Sequence, residues 1–269
     1  MPRLTCQADI RRLLETDRPW AIYALGDLTP GYFEHSEWYG AEAGAPGLAL
    51  LYRAFATPVL LTVGEPRHLR PVLAEIGTLP KAYLSIRPEV LSLVCERHRV
   101  EDQKAMWRMV LAPGDFRPEA CGEAVRLELA DLPALEALYA DGGPAGETPD
   151  FFSASMVADG AFFGLWEAGR LVSVAGTHLV SPQESVGAVG NVYTRRDRRG
   201  RGLAGRVSSA VTAELLRLGL RTIALNVNQQ NEAAIRVYER LGYRKYCEFC
   251  EGVAVAHGQE QSETRKHSG

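Results

Sequence analysis

Apolar residues recur along the chain with two different spacings, and both halves of the sequence use the two in turn. In the first half, short apolar runs predict strands over 47–55 (GLALLYRAF), 58–64 (PVLLTVG), 81–86 (KAYLSI) and 103–111 (QKAMWRMVL). Segments with helical spacing lie between and before them, at 6–17, 65–77 and 88–98. Strands that alternate with helices indicate an α/β fold, in which helices pack on a sheet.

The second half repeats this alternation. It predicts strands over 123–131, 161–167, 171–180, 186–194, 221–228 and 243–255, and helices over 132–141, 151–160, 204–219 and 231–242. Residues 111–125 (LAPGDFRPEACGEAV) contain two prolines and two glycines, which favours a domain boundary between Gly114 and Cys121. We therefore predict one domain over 1–120 and a second over 121–256, followed by a polar, disordered tail over 257–269.

Composition excludes several classes of protein. The chain has 269 residues, 46% of them hydrophobic and 23% charged, which is typical of a soluble globular protein. A net charge of −3 gives no general affinity for nucleic acid. The first twenty residues are charged and periodic, unlike a signal peptide, and no apolar run approaches the ~20 residues that cross a bilayer. We expect a cytoplasmic protein that binds neither nucleic acid nor a membrane; a monomer and a homodimer both remain open.

The five cysteines do not suggest a disulfide framework, because their number is odd and their spacing wide. Cys247 and Cys250 form a C-x-x-C pair, but a zinc site would need further ligands at suitable spacing. The pair falls in a predicted strand, where positions three apart point to opposite faces. We interpret the pair as packing residues and expect no metal, with a metal-binding or redox role as the alternative.

One segment is unusually rich in charge and backbone freedom. Residues 195–206 (RRDRRGRGLAGR) contain six arginines and three glycines, and they connect a predicted strand to a predicted helix. Backbone N–H groups at the start of a helix have no partner within it, and the helix dipole makes this end positive. Glycines such as Gly200 and Gly202 let these donors approach a ligand closely. The segment therefore predicts a phosphate or pyrophosphate site, and the alternative is a solvated basic turn.

Two well-known phosphate-binding motifs do not account for this segment. The P-loop pattern does not occur in the sequence. The dinucleotide-binding pattern G-x-G-x-x-G matches residues 200–205, but three strands precede it and no acidic residue occurs about 20 positions later.

A family resemblance explains the segment better. Residues 192–207 (VYTRRDRRGRGLAGRV) resemble the acyl-CoA-binding segment of the GNAT superfamily of N-acetyltransferases, in which a strand is followed by [Q/R]-x-x-G-x-[G/A] at the start of a helix. Residues 225–246 (LNVNQQNEAAIRVYERLGYRKY) resemble a second segment of that family, at the expected distance. The resemblance covers about residues 121–256 and is closest to the branch that resembles the C-terminal domain of glycine N-acyltransferase. The first half resembles a degenerate second GNAT domain.

The resemblance implies a fold and a donor site. It implies a mixed central sheet, flanked by helices, whose fourth and fifth strands splay apart to admit the pantetheine arm of acetyl-CoA. The backbone of Val192, Tyr193 and Thr194 would bond that arm and polarise the thioester carbonyl. The pyrophosphate would lie on the turn formed by Arg199, Gly200, Arg201, Gly202, Leu203 and Ala204.

The second segment supplies two further candidates. Asn231, Ala234 and Tyr238 share one face of a predicted helix, for which Asn231 suits the N-cap and Gly242 the C′ position. By resemblance, Asn231 contacts the pantetheine and Tyr238 reaches the sulfur. The alternative for Tyr238 is simple packing on an amphipathic helix. Its reference pKa lies above that of a thiol, so Tyr238 would stabilise the departing thiolate by a hydrogen bond, or protonate it only if its own pKa were lowered.

The general base and the acceptor are less defined. Many relatives have a carboxylate on the fourth strand, whereas residues 186–194 contain none. His178, Glu147 and Asp150 could act through water, although the pattern favours an ordinary role for each: a hydrogen-bonded strand histidine for His178 and solvated loop charge for the two acids. The acceptor would lie near residues 141–160, where Phe151, Phe152, Tyr193 and Trp166 could line its site.

Three functions therefore remain at this point. The first is acetyl transfer from acetyl-CoA to a primary amine of a small molecule or peptide by direct attack. The second is a non-catalytic, acyl-CoA-binding regulatory module. The third is contact between the basic turn and nucleic acid, which nearby acids such as Asp197 and Glu214 disfavour.

Overall fold

The computed structural model describes residues 3–40, 46–120, 122–143, 149 and 151–258. The chain forms two compact units, which we call the first and second unit. The first comprises Met1–Trp107 together with Cys247–Gly269, and the second comprises Arg108–Tyr246. The functional boundaries after residues 120 and 256 stay predictions.

The first unit is a helix-and-sheet structure. Its helices are α1 (Gln7–Leu14), α2 (Ile22–Gly26), α3 (Pro66–Ile76) and α4 (Leu91–Cys95). Its strands are β1 (Arg3–Leu4), β2 (Ser36–Gly40), β3 (Gly47–Tyr52), β4 (Val59–Gly64) and β5 (Lys81–Ile86). Two longer strands, β6 (His98–Leu111) and β12 (Arg244–Ala256), each begin in one unit and end in the other.

Pairing in the first unit is mostly antiparallel. β1, β2, β3 and β4 pair antiparallel in that order, β4 and β5 are parallel, and residues 250–255 of β12 run antiparallel to β5. The apolar run of β3 is buried along almost its whole length, which explains why it lacks alternation. Leu69 and Val72 of α3 pack on this sheet in the core of the unit.

The second unit contains the arginine-rich segment. Its remaining strands are β7 (Val125–Arg126), β8 (Phe163–Glu167), β9 (Arg170–Ser181), β10 (Val186–Thr194) and β11 (Thr222–Asn228). Its helices are α5 (Leu132–Ala140), α6 (Ala154–Asp159), α7 (Leu203–Arg217) and α8 (Glu232–Arg240). β7 to β10 pair antiparallel in order, and β10 and β11 are parallel.

Short 3₁₀ helices connect several of these elements. They span Glu15–Asp17, Phe33–His35, Pro88–Val90, Pro113–Asp115, Leu129–Asp131 and Arg196–Arg198.

Most predicted elements are confirmed, and the exceptions have physical causes. The strand predicted over 123–131 is wrong beyond Val125–Arg126. There, Glu128 and Asp131 form a reciprocal capping box, so backbone N–H groups bond to carboxylates at the start of a 3₁₀ turn rather than to a strand. Strands β1 and β2 and helix α2 were not predicted. None of the helices in the described part of the chain combines the length and apolar character needed to span a bilayer.

Candidate active site

Strands β10 and β11 are paired along only part of their length. Four residue pairs join them, from Val186 with Thr222 to Val189 with Leu225. β10 then continues to Thr194 and β11 to Asn228, while β10 stays paired with β9 through Tyr193 and Thr194. The two parallel strands therefore separate after Val189, and the edge of β10 that faces β11 carries Val192, Tyr193 and Thr194 beyond that point.

Two bulges lie on either side of this separation. In β9, His178 is passed over between the pairs Leu179–Ala188 and Thr177–Val189. In β10, three steps from Gly190 to Tyr193 face two steps of β9, and Asn191 has a positive φ of 53°. Bulges of this kind redirect side chains and are over-represented beside functional sites.

The predicted phosphate turn has the geometry that an anion site requires. Gly200 and Gly202 have φ values of +76° and +74°, which favour glycine, and Gly202 is the N-cap of α7. A β-carbon built at either position would have no described atom within 4 Å, so the space above the turn is open. The first backbone N–H groups of α7, beginning at Leu203 and Ala204, are available to a ligand because a glycine N-cap has no side chain.

The arginines of this segment have different environments. Three pair with acids: Arg195 with Asp197, Arg198 with Glu167 and Asp197, and Arg206 with Glu123. Of the other three, Arg196 lies in the 3₁₀ helix Arg196–Arg198, and Arg199 and Arg201 lie on the turn itself.

Of these, Arg199 donates from Nε to the carbonyl oxygen of Thr194 at 3.2 Å, and its guanidinium lies 5.6 Å from the ring centroid of Tyr193. Arg201 is exposed and, within the described part of the chain, makes neither an ion pair nor a hydrogen bond. Much of the positive charge is therefore neutralised by the protein, and Arg201 is the side chain best placed to meet an added anion.

Helix α8 has the caps that its sequence predicts. The Asn231 side chain accepts a hydrogen bond from the Ala234 N–H at 3.1 Å, and Gly242, with φ +102°, follows the C-cap. Tyr238 is buried, and its ring meets that of Tyr243 edge-on at 6.1 Å. Burial raises the pKa of Tyr238 to about 12. Among the described residues, none hydrogen-bonds its hydroxyl, which therefore remains able to donate to a ligand.

Of the three candidate bases, only His178 can be described. Its imidazole lies against Gly190, the first residue of β10 beyond the last pair with β11. Burial, with a further contribution from the fully buried Arg108, lowers the pKa of His178 to about 4, so the ring is neutral at physiological pH. Glu147 and Asp150 lie outside the described residues.

The aromatic candidates separate into two groups. Phe152 and Tyr193 pack with Tyr139 in the core of the second unit, and Phe151 is half-buried beside them in the sequence. Trp166 on β8 is 38% exposed.

The two cysteines of the C-x-x-C pair lie on a strand, as predicted. Cys247 and Cys250 are both buried in β12. Among the described residues, no cluster of three or more histidine, cysteine or acidic side chains could hold a metal ion.

Comparison with known proteins shows what the chain resembles. A family model described as FR47-like protein matches residues 163–251. A mycothiol acetyltransferase from Geodermatophilus obscurus is 37% identical over 237 residues, which are 87% of this chain and 63% of that protein. A solved structure of a GNAT-family acetyltransferase from Novosphingobium aromaticivorans has 24% identity and a TM-score of 0.62, covering 89% of this chain and 99% of that one. This likeness shows that the chain has the GNAT fold.

Two further solved structures share this fold. A GCN5-related N-acetyltransferase from Kribbella flavida is 17% identical, with a TM-score of 0.60 over 88% of this chain and 94% of that one. A tandem GNAT protein from the clavulanic acid biosynthesis pathway is 14% identical, with a TM-score of 0.52 over 93% and 96%. The fold predicted for both halves of the chain is thereby confirmed. The chain spans 63% of the length of the mycothiol acetyltransferase, so that protein's activity does not transfer by likeness alone.

Three residues beside the separation of β10 and β11 were not predicted from the sequence. The Tyr139 hydroxyl donates to the carbonyl oxygen of Asn191 at 2.9 Å, and Asp141 accepts a hydrogen bond from the Tyr193 hydroxyl at 3.0 Å. These contacts join positions about 50 residues apart. The only local signal was Asn191 itself, since asparagine between strand residues often marks left-handed backbone.

Proposed function

We propose that the chain is an N-acetyltransferase that transfers the acetyl group of acetyl-CoA to a primary amine. The separation of β10 and β11 after Val189, beside the glycine turn that opens α7, is the observation that carries this proposal. The named activity of the 37% identical relative supports it.

The donor would be held at three places. Its pyrophosphate would lie on the N–H groups of the turn formed by residues 199–204, with Arg201 adding a charge-assisted contact. Its pantetheine arm would run along the open edge of β10 and bond to the backbone at residues 192–194. Asn231, at the start of α8, would contact the arm, and the hydroxyl of Tyr238 would meet the sulfur.

The reaction would be a direct displacement. The neutral amine attacks the thioester carbonyl carbon, a C–N bond forms, and the C–S bond breaks to release the thiolate of CoA. The amine nitrogen loses a proton, and the thiolate is stabilised by the Tyr238 hydroxyl until it is protonated from solvent. No acyl-enzyme intermediate is required, because the thioester is already activated.

The neutral state of His178 restricts the acceptor. An imidazole with a pKa of about 4 can accept the proton that the nitrogen loses after attack, but it is too weak a base to deprotonate an ordinary alkylammonium. Deprotonation at pH 7 costs about 4–5 kcal/mol for a lysine-like amine and about 1 kcal/mol for an α-amine. We therefore expect an acceptor whose amine has a low pKa, such as an α-amine.

Two measurements test this function in sequence. Calorimetric titration with acetyl-CoA should give saturable binding, and release of free thiol should then be followed across a panel of amines. The panel should include the deacetylated form of mycothiol, as the name of the relative suggests. If the folded protein does not bind acetyl-CoA, the proposal is excluded. If it binds acetyl-CoA but releases no thiol with any amine of the panel, a non-catalytic acyl-CoA-binding module is favoured.

A matched pair of acceptors tests the preference for a low amine pKa. Lysine amide blocked at Nε presents only the α-amine, and lysine amide blocked at Nα presents only the side-chain amine. At pH 7 the first has about 10²-fold more neutral amine, so its kcat/KM should be higher by about that factor. Equal rates, or faster reaction of the side-chain amine, would mean that a stronger base than His178 operates.

A further inference from the structure

The bulge in β10 decides which way the donor-facing part of the strand points. Between the pairs Gly190–Gly176 and Tyr193–Val174, Asn191 and Val192 face the single residue Ala175, and Asn191 has the positive φ of 53°. A shift of one residue in a strand exchanges the two faces and the two edges for everything that follows. The orientation of the backbone at residues 192–194 therefore depends on the bulge remaining at Asn191.

The end of helix α5 holds this bulge at three points. The Tyr139 hydroxyl donates to the Asn191 carbonyl oxygen at 2.9 Å. Two residues later, the Asp141 carboxylate accepts from the Tyr193 hydroxyl at 3.0 Å and from the Arg196 N–H at 3.2 Å. These hydrogen bonds fix β10 at the bulge and on its far side.

The hydrogen bond from Tyr139 to Asn191 is buried. The Tyr139 ring packs edge-on against Phe152 at 5.0 Å and Tyr193 at 6.3 Å, so the hydroxyl has little freedom to move. Burial raises the pKa of Tyr139, which keeps the hydroxyl protonated and able to donate.

The side chain of Asn191 has little hydrogen bonding of its own. Its Oδ1 is buried without a hydrogen-bond partner among the described residues, and its Nδ2 lies 3.5 Å from the Met156 sulfur, a weak acceptor. Asparagine tolerates positive φ better than most residues. What position 191 requires is therefore its backbone conformation, with the carbonyl turned to Tyr139.

We propose that Tyr139 is a positioning residue for acetyl transfer: its hydrogen bond to the Asn191 carbonyl fixes the bulge that aims the backbone of residues 192–194 at the thioester. This inference rests on the proposed function, because it concerns the same donor site. It assigns to α5, which lies outside the donor-binding motifs, control over how strongly the thioester carbonyl is polarised.

The first test removes only one oxygen atom. Tyr139→Phe keeps the ring packing, and Tyr83→Phe is the matched control, since the Tyr83 hydroxyl bonds Glu251 at 3.0 Å in the first unit. The readout is the carbonyl stretching frequency of bound [1-¹³C]acetyl-CoA by isotope-edited infrared difference spectroscopy, which needs no acceptor. Bound to the wild-type protein or to Tyr83→Phe, acetyl-CoA should show a lower carbonyl frequency than it does free in solution. Bound to Tyr139→Phe, its frequency should lie close to that of free acetyl-CoA.

The kinetic readout separates positioning from binding. With the best acceptor of the panel, Tyr139→Phe should lower kcat about 10-fold, as loss of one buried hydrogen bond does. The Kd for 3′-phosphoadenosine 5′-diphosphate, which keeps the pyrophosphate but lacks the pantetheine arm, should change less than about 2-fold, since the phosphate turn is untouched. If Tyr139→Phe kept both the wild-type carbonyl frequency of bound acetyl-CoA and the wild-type kcat, the inference would be overturned.

A second pair of variants tests the bulge without altering Tyr139. Asn191→Gly retains the carbonyl and adopts positive φ without strain, whereas Asn191→Val has a β-branched side chain that resists this conformation. Glycine should keep the wild-type frequency and kcat, and valine should behave like Tyr139→Phe. A valine variant like wild type, or a glycine variant that loses polarisation, would overturn the inference.

Measurements on the wild-type protein distinguish failure of the proposed function from failure of the role assigned to Tyr139. If the wild-type protein does not bind acetyl-CoA, the proposed function fails and this inference falls with it. If it binds and polarises the thioester but the variants do so equally, only the role of Tyr139 is lost.

Discussion

The imidazole of His178 lies directly over the α-carbon of Gly190, where β10 leaves its parallel neighbour. A β-carbon at position 190 would stand 2.4 Å from both Nε2 and Cε1 of the ring. Glycine at this position therefore permits the ring to reach the point where the two strands separate. The bulge at His178 directs the ring there, and the missing side chain at Gly190 makes room for it.

We predict that Gly190→Ala displaces His178 and lowers both stability and activity. Overpacking of this kind typically costs about 1–3 kcal/mol. Activity should fall by about 10-fold or more if His178 takes part in the reaction, because a loss of only about 1.4 kcal/mol of transition-state stabilisation lowers the rate tenfold. Thermal unfolding and thiol release check the two effects.

Gly114→Ala is the control, since a β-carbon there has no described atom within 4 Å. If Gly190→Ala retained full kcat while losing stability, His178 would have no part in the reaction.

The phosphate turn allows a matched comparison at the two ends of one helix. Gly202 before α7 and Gly219 after it have φ values of +74° and +76°, and both face open space. Alanine should strain either position by about 1–2 kcal/mol. Only Gly202→Ala should weaken binding of CoA, by about 10-fold, because only that turn would contact the pyrophosphate.

Calorimetric titration of both variants with CoA provides the measurement. Equal affinities in the two variants would place the pyrophosphate elsewhere.

Tyr238 should act as a hydrogen-bond donor rather than as an acid. With its pKa at about 12, proton transfer to a thiolate whose thiol has a pKa near 8.5 is uphill by about 3.5 units, or about 5 kcal/mol. A hydrogen bond to a charged group contributes about 1.5–3 kcal/mol, so Tyr238→Phe should lower kcat about 10- to 150-fold. The Kd for acetyl-CoA should be nearly unchanged, as measured by calorimetry.

Tyr246→Phe, at an exposed position of β12, is the control for that variant. An unchanged kcat in Tyr238→Phe would leave Tyr238 with a packing role alone.

The secondary structure around the candidate site could be predicted from sequence more fully than the contacts within it. The strand over 186–194 and the helices that follow it were predicted almost to the residue, because the apolar patterns are long and Gly202 and Asn231 are local signals for helix starts. The bond from Tyr139 to Asn191 was out of reach, since it joins positions 52 apart and depends on how α5 packs. The neutral state of His178 likewise depends on burial and on Arg108, 70 positions away.

Buried tyrosines should make the protein sensitive to high pH. Burial raises the pKa values of Tyr139, Tyr238 and Tyr243, and that of Tyr238 reaches about 12. A group whose pKa is higher in the folded state contributes stability that is present below its unfolded pKa, near 10, and is lost as pH rises through the folded value. Stability should therefore be level up to about pH 10 and fall between about pH 10 and 12.

Two observables check this alkaline transition. Absorbance of tyrosinate near 295 nm should rise together with loss of near-ultraviolet circular dichroism, because these rings ionise on unfolding. Ionisation of all the tyrosines near pH 10, with the fold intact, would contradict the burial described above.

The first unit should not bind a second acyl-CoA. Its parallel strands β4 and β5 pair from Val59 to Leu61, and the next residue, Thr62, accepts a hydrogen bond from the indole N–H of the buried Trp20 at 2.7 Å. That ring is itself covered by Phe249 at 5.4 Å and by the Arg87 guanidinium at 5.4 Å.

The turn after β4 is equally unsuited to a phosphate. α3 begins with Glu65 at the N-cap and Pro66 at the first position, so a carboxylate stands where the arginine-rich turn of the second unit has glycine, and one N–H donor is missing. The Trp20 indole thus occupies the Thr62 carbonyl, a backbone group that a pantetheine arm would need. The Glu65 carboxylate likewise lies where the pyrophosphate of a second acyl-CoA would bind. Calorimetric titration of the full chain with acetyl-CoA should give one site per chain, and Gly202→Ala should weaken that single event. A stoichiometry of two would contradict this prediction and would mean that a second acyl-CoA displaces Trp20 from the Thr62 carbonyl.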